Sequence, residues 1–148
     1  MQRIIKFRGK TSKKPGYWVF GKYAEYKDSK GDIVHCIVIQ NEQTKEFAYN
    51  EVYEDTIGQF TGLLDKNGKE IYDGDILKNN LSKFPFALVG WHQNGYFFCD
   101  CNMGSHPSDY KYNEYTPLGE VLNFYIDTKK VEYEVIGNKW DTPGLLER

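Results

Sequence analysis

Hydrophobic and polar positions alternate along much of this chain with a period of two, the signature of strands that bury one face and wet the other. Ile5 and Phe7 alternate with Lys6 and Arg8, which predicts a first strand with the ring inside and the cations in water. Thr11 to Gly16 is a loop by composition. The apolar run Tyr17-Trp18-Val19-Phe20, continued by Gly21 to Tyr26, then returns as the second arm of a hairpin. After a turn at Lys27 to Asp32, the β-branched run Ile33 to Ile39 has the length of a buried strand, and on a regular strand its His35 and Cys36 face opposite ways. The charged stretch Asn41 to Asp55 fits a surface turn with Phe47, Tyr49, Val52 and Tyr53 contacting the core, or a short strand, the strand being preferred.

Turn chemistry and strand patterning agree best in Thr56 to Lys78, TIGQFTGLLDKNGKEIYDGDILK. Ile57, Gln59 and Thr61 alternate with Gly58, Phe60 and Gly62, and Asn67-Gly68 tolerates the positive φ angles of a tight hairpin. A second bend follows at Asp73-Gly74-Asp75, after which Ile76-Leu77-Lys78 is extended again. Further on, Phe86 to Trp91 and Tyr96 to Asp100 flank a second Asn-Gly hairpin signal. Met103 to Pro117 is a polar, Tyr-rich loop, Leu118 to Tyr125 a short helix or extra strand, and Val131 to Ile136 a closing strand. The tail from Trp140 to Leu146 packs as a short segment, helical after Pro143.

GQFTGLLDKNGKEIYDGDILK resembles the hallmark segment of the YopX family, proteins found mainly in phages and prophages of low-GC Gram-positive bacteria. IKFRGK (Ile5 to Lys10), GYWVFG (Gly16 to Gly21) and VIGNKWDTPGLLE (Val135 to Glu147) resemble further family segments in matching order. Where the family often ends GNIYENPELL, this chain reads GNKWDTPGLL. The resemblance implies a fold and a phage or prophage context, and no particular activity. The succession bend, GDIL, loop, FALVGW, tight turn, YFFCD resembles that of SH3-like barrels. The expected fold is therefore mainly β, with a small N-terminal β subdomain (residues 1–55) packed on a C-terminal SH3-like barrel (residues 56–148) that carries the hallmark hairpin and the tail, one compact unit being the alternative. Its structural hallmark residues are Gly58, Gly62, Asn67, Gly68, Gly74 and Asp75.

Composition fits this picture. A chain of 148 residues can bury about two thirds of its unfolded surface without staples. Its twelve Tyr, nine Phe and three Trp suit pleated surfaces better than helices. Three cysteines without a basic leader and apolar run argue against a disulfide framework and for the cytoplasm of a bacterial host. No apolar run approaches the roughly 20 residues that span a bilayer, so no membrane partner is expected. Charge is asymmetric: Arg3, Lys6, Arg8, Lys10, Lys13, Lys14 and Lys22 precede the first acidic residue, Glu25, in a chain of net charge −2. Lys6, Arg8, Lys10, Lys13 and Lys14 are thus the candidate nucleic-acid contacts. A solvated strand face that meets the chain's own acidic remainder is the favoured reading of them.

Other chemistry is thinly supported. Cys99, Cys101, His92 and His106 are weak metal candidates, because a lone CxC with scattered histidines lacks the paired knuckles of structural zinc sites. Asp73 and Asp75 read as turn carboxylates that bond nearby amides rather than as an acid/base pair or magnesium site. His35-Cys36 and the serines sit in no nucleophile-elbow context, and no phosphate-loop motif is present, so no cofactor and no catalytic residue is assigned. The expectation is a non-enzymatic binding or assembly module that meets an unknown phage or host protein, with self-association allowed by exposed edge strands. A nucleic-acid module using the basic first strand is the alternative, and a metal-dependent hydrolase the third.

Overall fold

Antiparallel strands joined by tight turns make up nearly all the regular structure. The computed structural model describes residues 4–13, 16–78, 86–92, 96–100, 116–117 and 133–146, and the chain divides into two units, Met1–Phe60 and Thr61–Arg148. The sequence boundary lay between residues 55 and 56. The first unit runs past it because Gly58 and Gln59 pair back to Arg8 and Phe7.

The first unit holds β1 (Phe7–Lys10), β2 (Trp18–Lys27), β3 (Ile33–Gln40), β4 (Phe47–Glu51) and the start of β5 (Gly58–Leu64), with neighbours in the order β4-β3-β2-β1-β5. Its turns are fixed by short polar side chains. Asp28 Oδ1 accepts the N–H groups of Lys30 and Asp32, both at 2.9 Å, and Asn41 Oδ1 accepts those of Gln43 and Thr44 at 2.9 and 3.1 Å. Val19, Ile37 and Val52 form the core, with Phe7 and Ile57 packed against them. Gly9 is required here, since a Cβ would lie about 2.9 Å from the Val52 side chain.

Beyond β4 the chain returns across the end of β1. Val52 bridges Thr11, and the Tyr53 N–H donates to the Lys10 carbonyl at 2.9 Å. A single 3-10 turn, Glu54–Thr56, follows. The Thr56 hydroxyl accepts the Lys10 N–H at 2.9 Å and donates to the Tyr53 carbonyl at 2.6 Å.

Two expectations fail in this unit for one reason. The run Ile33 to Ile39 is fully buried only at Cys36 and Ile37, and Phe47 and Tyr49 are exposed rather than in the core. Apolar composition identified strands, but a sheet whose core covers only its middle leaves the strand ends and the outermost strand in water.

The second unit contains the rest of β5, then β6 (Glu70–Tyr72), β7 (Asp75–Lys78), β8 (Phe86–His92), β9 (Tyr96–Asp100), β10 (Thr116–Pro117) and β11 (Glu134–Asn138). Among the described residues Ile71, Ile76, Leu77, Ala87 and Val89 are its most buried apolar side chains. β8 and β9 pair in the register His92↔Tyr96, as the second Asn-Gly signal predicted. The antiparallel sheet order is β10-β9-β8-β7-β11.

Among the described residues no sheet closes into a barrel, so the SH3-like closure expected here is absent from these strands. β10 has two residues, one of them a proline without an N–H, and offers little for a further ladder. Thr116 and Pro117 were expected in a loop but pair with Cys99 and Phe98. Residues 118–125 lie outside the described residues. No helix among the described residues is long and apolar enough to cross a membrane.

Candidate interaction face

The turns of the hallmark segment are set by its glycines and by short polar side chains. Gly62, Gly68 and Gly74 have φ of 84°, 80° and 90°, left-handed values that favour glycine, and Gly58 is buried in β5 opposite Arg8. The turn around Asn67-Gly68 is organised by Asp65, which sequence reasoning missed. Asp65 is buried, and its Oδ1 accepts the N–H groups of Asn67 and Lys69 at 2.8 and 2.9 Å. Its Oδ2 accepts the Val135 N–H of β11 at 2.9 Å. An Asp two residues before Asn-Gly was the available signal, since aspartate commonly caps its own turn.

At the second bend Asp75 is also buried, and its Oδ2 accepts the Tyr72 N–H at 2.8 Å, the amide-bonding role expected of it. Trp140 lies over Gly74 so closely that a Cβ there would meet its ring. Asn138 holds the last turn, its Oδ1 accepting the N–H groups of Trp140 and Asp141 at 3.0 and 2.8 Å.

Among the described residues the catalytic and metal candidates named from the sequence do not come together. Cys101 and His106 lie outside the described residues, as do the side chains of His92 and Cys99. Among the described residues no group of three or more His, Cys, Asp or Glu is arranged to hold a metal ion. A polar cluster that sequence did not suggest joins β2, β3 and the 3-10 turn. The Tyr23 hydroxyl donates to Glu25 Oε2 at 3.0 Å and lies 2.7 Å from His35 Nδ1, while His35 Nε2 stands 3.5 Å from Glu54 Oε2. Burial first, then the hydrogen bond to Glu25, pushes the Tyr23 phenol above its ordinary value.

Burial, reinforced by the Glu51 carboxylate, likewise pushes the Cys36 thiol up, the opposite of what an activated nucleophile needs. With less thiolate and no access, Cys36 in a Cys99→Ser/Cys101→Ser background is expected to react with a chromogenic disulfide at pH 8 at least about tenfold more slowly in the native protein than in urea. Equal rates in the two conditions would show an accessible, reactive thiol.

The basic first strand departs from its expected wet face. Arg8 is buried, with its guanidinium 4.8 Å from the centre of the Trp18 ring, because a weakly hydrated planar cation stacks on an aromatic face at little cost. Lys10 Nζ stands 5.9 Å from the same ring and Lys6 Nζ 5.4 Å from the Phe60 ring. Both lysines are half-buried; Lys13 is exposed, and Lys14 is outside the described residues. These cations are thus partly spent on the protein's own rings.

Register defines what surrounds them. Arg8 pairs with Phe20 and Lys10 with Trp18, and residues directly opposite in an antiparallel pair share a face. Lys22 pairs with Val38, Val38 with Tyr49, and Gln40 with Phe47, while Phe20 and Lys22 are two positions apart on one strand. One face of the sheet, opposite to the Val19–Ile37 core, therefore presents Phe20, Phe47 and Tyr49 around Lys22. These three rings are 47%, 54% and 65% exposed, which a core-forming role would not allow.

Comparison with known proteins agrees with the hallmark. No curated protein matches the chain. A solved structure, protein EF1440 from Enterococcus faecalis, aligns over 99% of this chain and 100% of that one at 22% identity, with a TM-score of 0.49. The family model described as YopX protein matches residues 6–147, from the first strand to the C-terminal tail, and the chain therefore belongs to the YopX family.

Proposed function

We propose that this protein is a non-enzymatic binding module, an accessory protein of phage or prophage type acting in the bacterial cytoplasm, whose contact surface is the outer face of the first unit. The observation that carries the proposal is the exposure of Phe20, Phe47 and Tyr49 on one face of a small sheet. Large rings held in water on the outermost strand, β4, and on β2 gain most when a partner covers them. The buried, amide-bonded state of Asp75 supports a structural rather than catalytic role for the hallmark bend. Within this proposal the second unit serves as an SH3-like scaffold, a reading supported by the antiparallel succession of β7, β8 and β9.

Affinity capture from phage-infected cells tests the proposal, with wild-type protein compared to Phe47→Ala/Tyr49→Ala and each eluate analysed for protein and nucleic acid. Wild type is expected to retain a saturable partner that the double variant loses at unchanged melting temperature. A partner held equally by both proteins would move the contact surface elsewhere. An Asp75→Asn variant that keeps its melting temperature but loses all function in infected cells would reinstate an enzymatic reading.

A further inference from the structure

We propose that the outer face of β2, β3 and β4 is a stacking platform for single-stranded nucleic acid, a proposal that rests on the binding-module reading and names its partner. Two properties of the face favour this partner over a protein.

The first is the form of the apolar surface. Phe20, Phe47 and Tyr49, the exposed large side chains nearest Lys22, are flat rings standing off a sheet, and bases stack on such rings whatever their sequence. Phe47 and Tyr49, two positions apart on β4, are about 7 Å from each other along the strand, and Phe20 lies two strands away, about 10 Å across the sheet. That spacing accommodates two or three splayed bases, as on other single-strand-binding sheets.

The second property is charge. By register, Arg8, Lys10 and Lys22 share this face, and Lys22 is exposed beside the rings. Glu51, opposite Cys36, is the one acidic side chain that the described register of β1 to β4 puts there. Glu25 is directly opposite His35 in the ladder and so lies on the core side with it. Protein interfaces deplete lysine at their centres, whereas phosphate tracking requires cations among the rings. The site also differs from a basic N-terminal strand acting alone, because its rings come from β2 and β4 while Arg8 is largely withdrawn under Trp18.

The experiment is fluorescence anisotropy with the full chain and end-labelled oligo-dT and oligo-U of about 12 nucleotides, against a mixed-sequence duplex of equal length, at about 50 mM salt. Both single strands are expected to bind more tightly than the duplex. Phe47→Ala/Tyr49→Ala should weaken single-strand binding by about tenfold or more, and Phe20→Ala by about fivefold, with melting temperatures unchanged because all three side chains are exposed. Lys22→Gln should lower the slope of log affinity against log salt by roughly one.

No oligonucleotide binding overturns the proposal. So does equal binding of single strand and duplex with no loss on ring removal, since phosphates alone would then be the target. A nuclease-resistant protein partner lost with Phe47→Ala/Tyr49→Ala, without any oligonucleotide binding, overturns the nucleic-acid platform while leaving the binding module standing. Absence of both partners removes both readings.

Discussion

Gly74→Val is expected to cost the second unit about 3–5 kcal/mol of stability, against about 1–3 kcal/mol for Gly68→Val. Both glycines have left-handed φ, 90° and 80°, so both substitutions force a β-branched residue into a conformation it rarely adopts. What separates them is space. A Cβ at Gly68 meets nothing within 4 Å, whereas one at Gly74 runs into the Trp140 ring. The second substitution therefore adds overpacking to backbone strain. The Trp140 backbone is fixed in a turn held by Asn138, so relief of the clash falls on rotation of the ring itself or on the Gly74 backbone. Urea unfolding of the two variants and of Gly74→Val/Trp140→Ala checks this. If the clash accounts for the difference, the double variant will be less destabilised than the sum of the singles. Equal midpoints for Gly74→Val and Gly68→Val would mean that the ring moves at no cost.

The second large effect is expected at Asp65, where replacement by alanine should remove about 3–5 kcal/mol. One buried carboxylate there satisfies three backbone N–H groups, those of Asn67, Lys69 and Val135. Alanine leaves the buried Val135 N–H without its acceptor and frees the two turn amides that hold the hairpin closed. Asp65→Asn keeps one oxygen acceptor and should cost roughly half as much.

A comparison inside the same contact isolates burial as the cause. Lys66 and Glu134 join the same turn and strand through a 3.6 Å ion pair, but their side chains are 35% and 42% exposed. Glu134→Gln should therefore cost no more than about 1 kcal/mol. Denaturant midpoints in that order, Asp65→Ala below Asp65→Asn below Glu134→Gln, are the expected result. A Glu134→Gln variant as unstable as Asp65→Ala would shift the main tie from the amides to the ion pair.

Local geometry was legible in the sequence wherever residue type dictates backbone shape. Asn67-Gly68 and Asp73-Gly74-Asp75 turn as their chemistry requires, and β7, β8 and β9 fall within a residue or so of the apolar runs that predicted them. What a strand pattern could not supply was which apolar residues are covered. Phe47 and Tyr49 alternate as core positions do, yet they belong to the outermost strand of their unit, a property of sheet order rather than of the segment. Arg8 failed in the other direction. Alternation put its side chain on the polar face correctly, but that face is roofed at this point by Trp18, contributed from the next strand. The candidate interaction face was hidden for the same reason, since its rings come from β2 and β4 and meet only through the register of β3. Asp65 escaped because its third partner, Val135, is 70 residues away.

That 70-residue reach has a consequence for the order in which the molecule is made. During synthesis the Asn67-Gly68 hairpin can close early on its own amides, but the second oxygen of Asp65 has no amide of β11 to meet until residue 135 exists. β7 is likewise paired to β11 through Leu77 and Val135. The ladders among β1 to β4 draw only on residues between Phe7 and Glu51 and can form while β7 still lacks β11. Folding of the second unit thereby waits on synthesis of β11, and a ribosome stalled before Val135 would hold β7 and Asp65 without their partners on that strand.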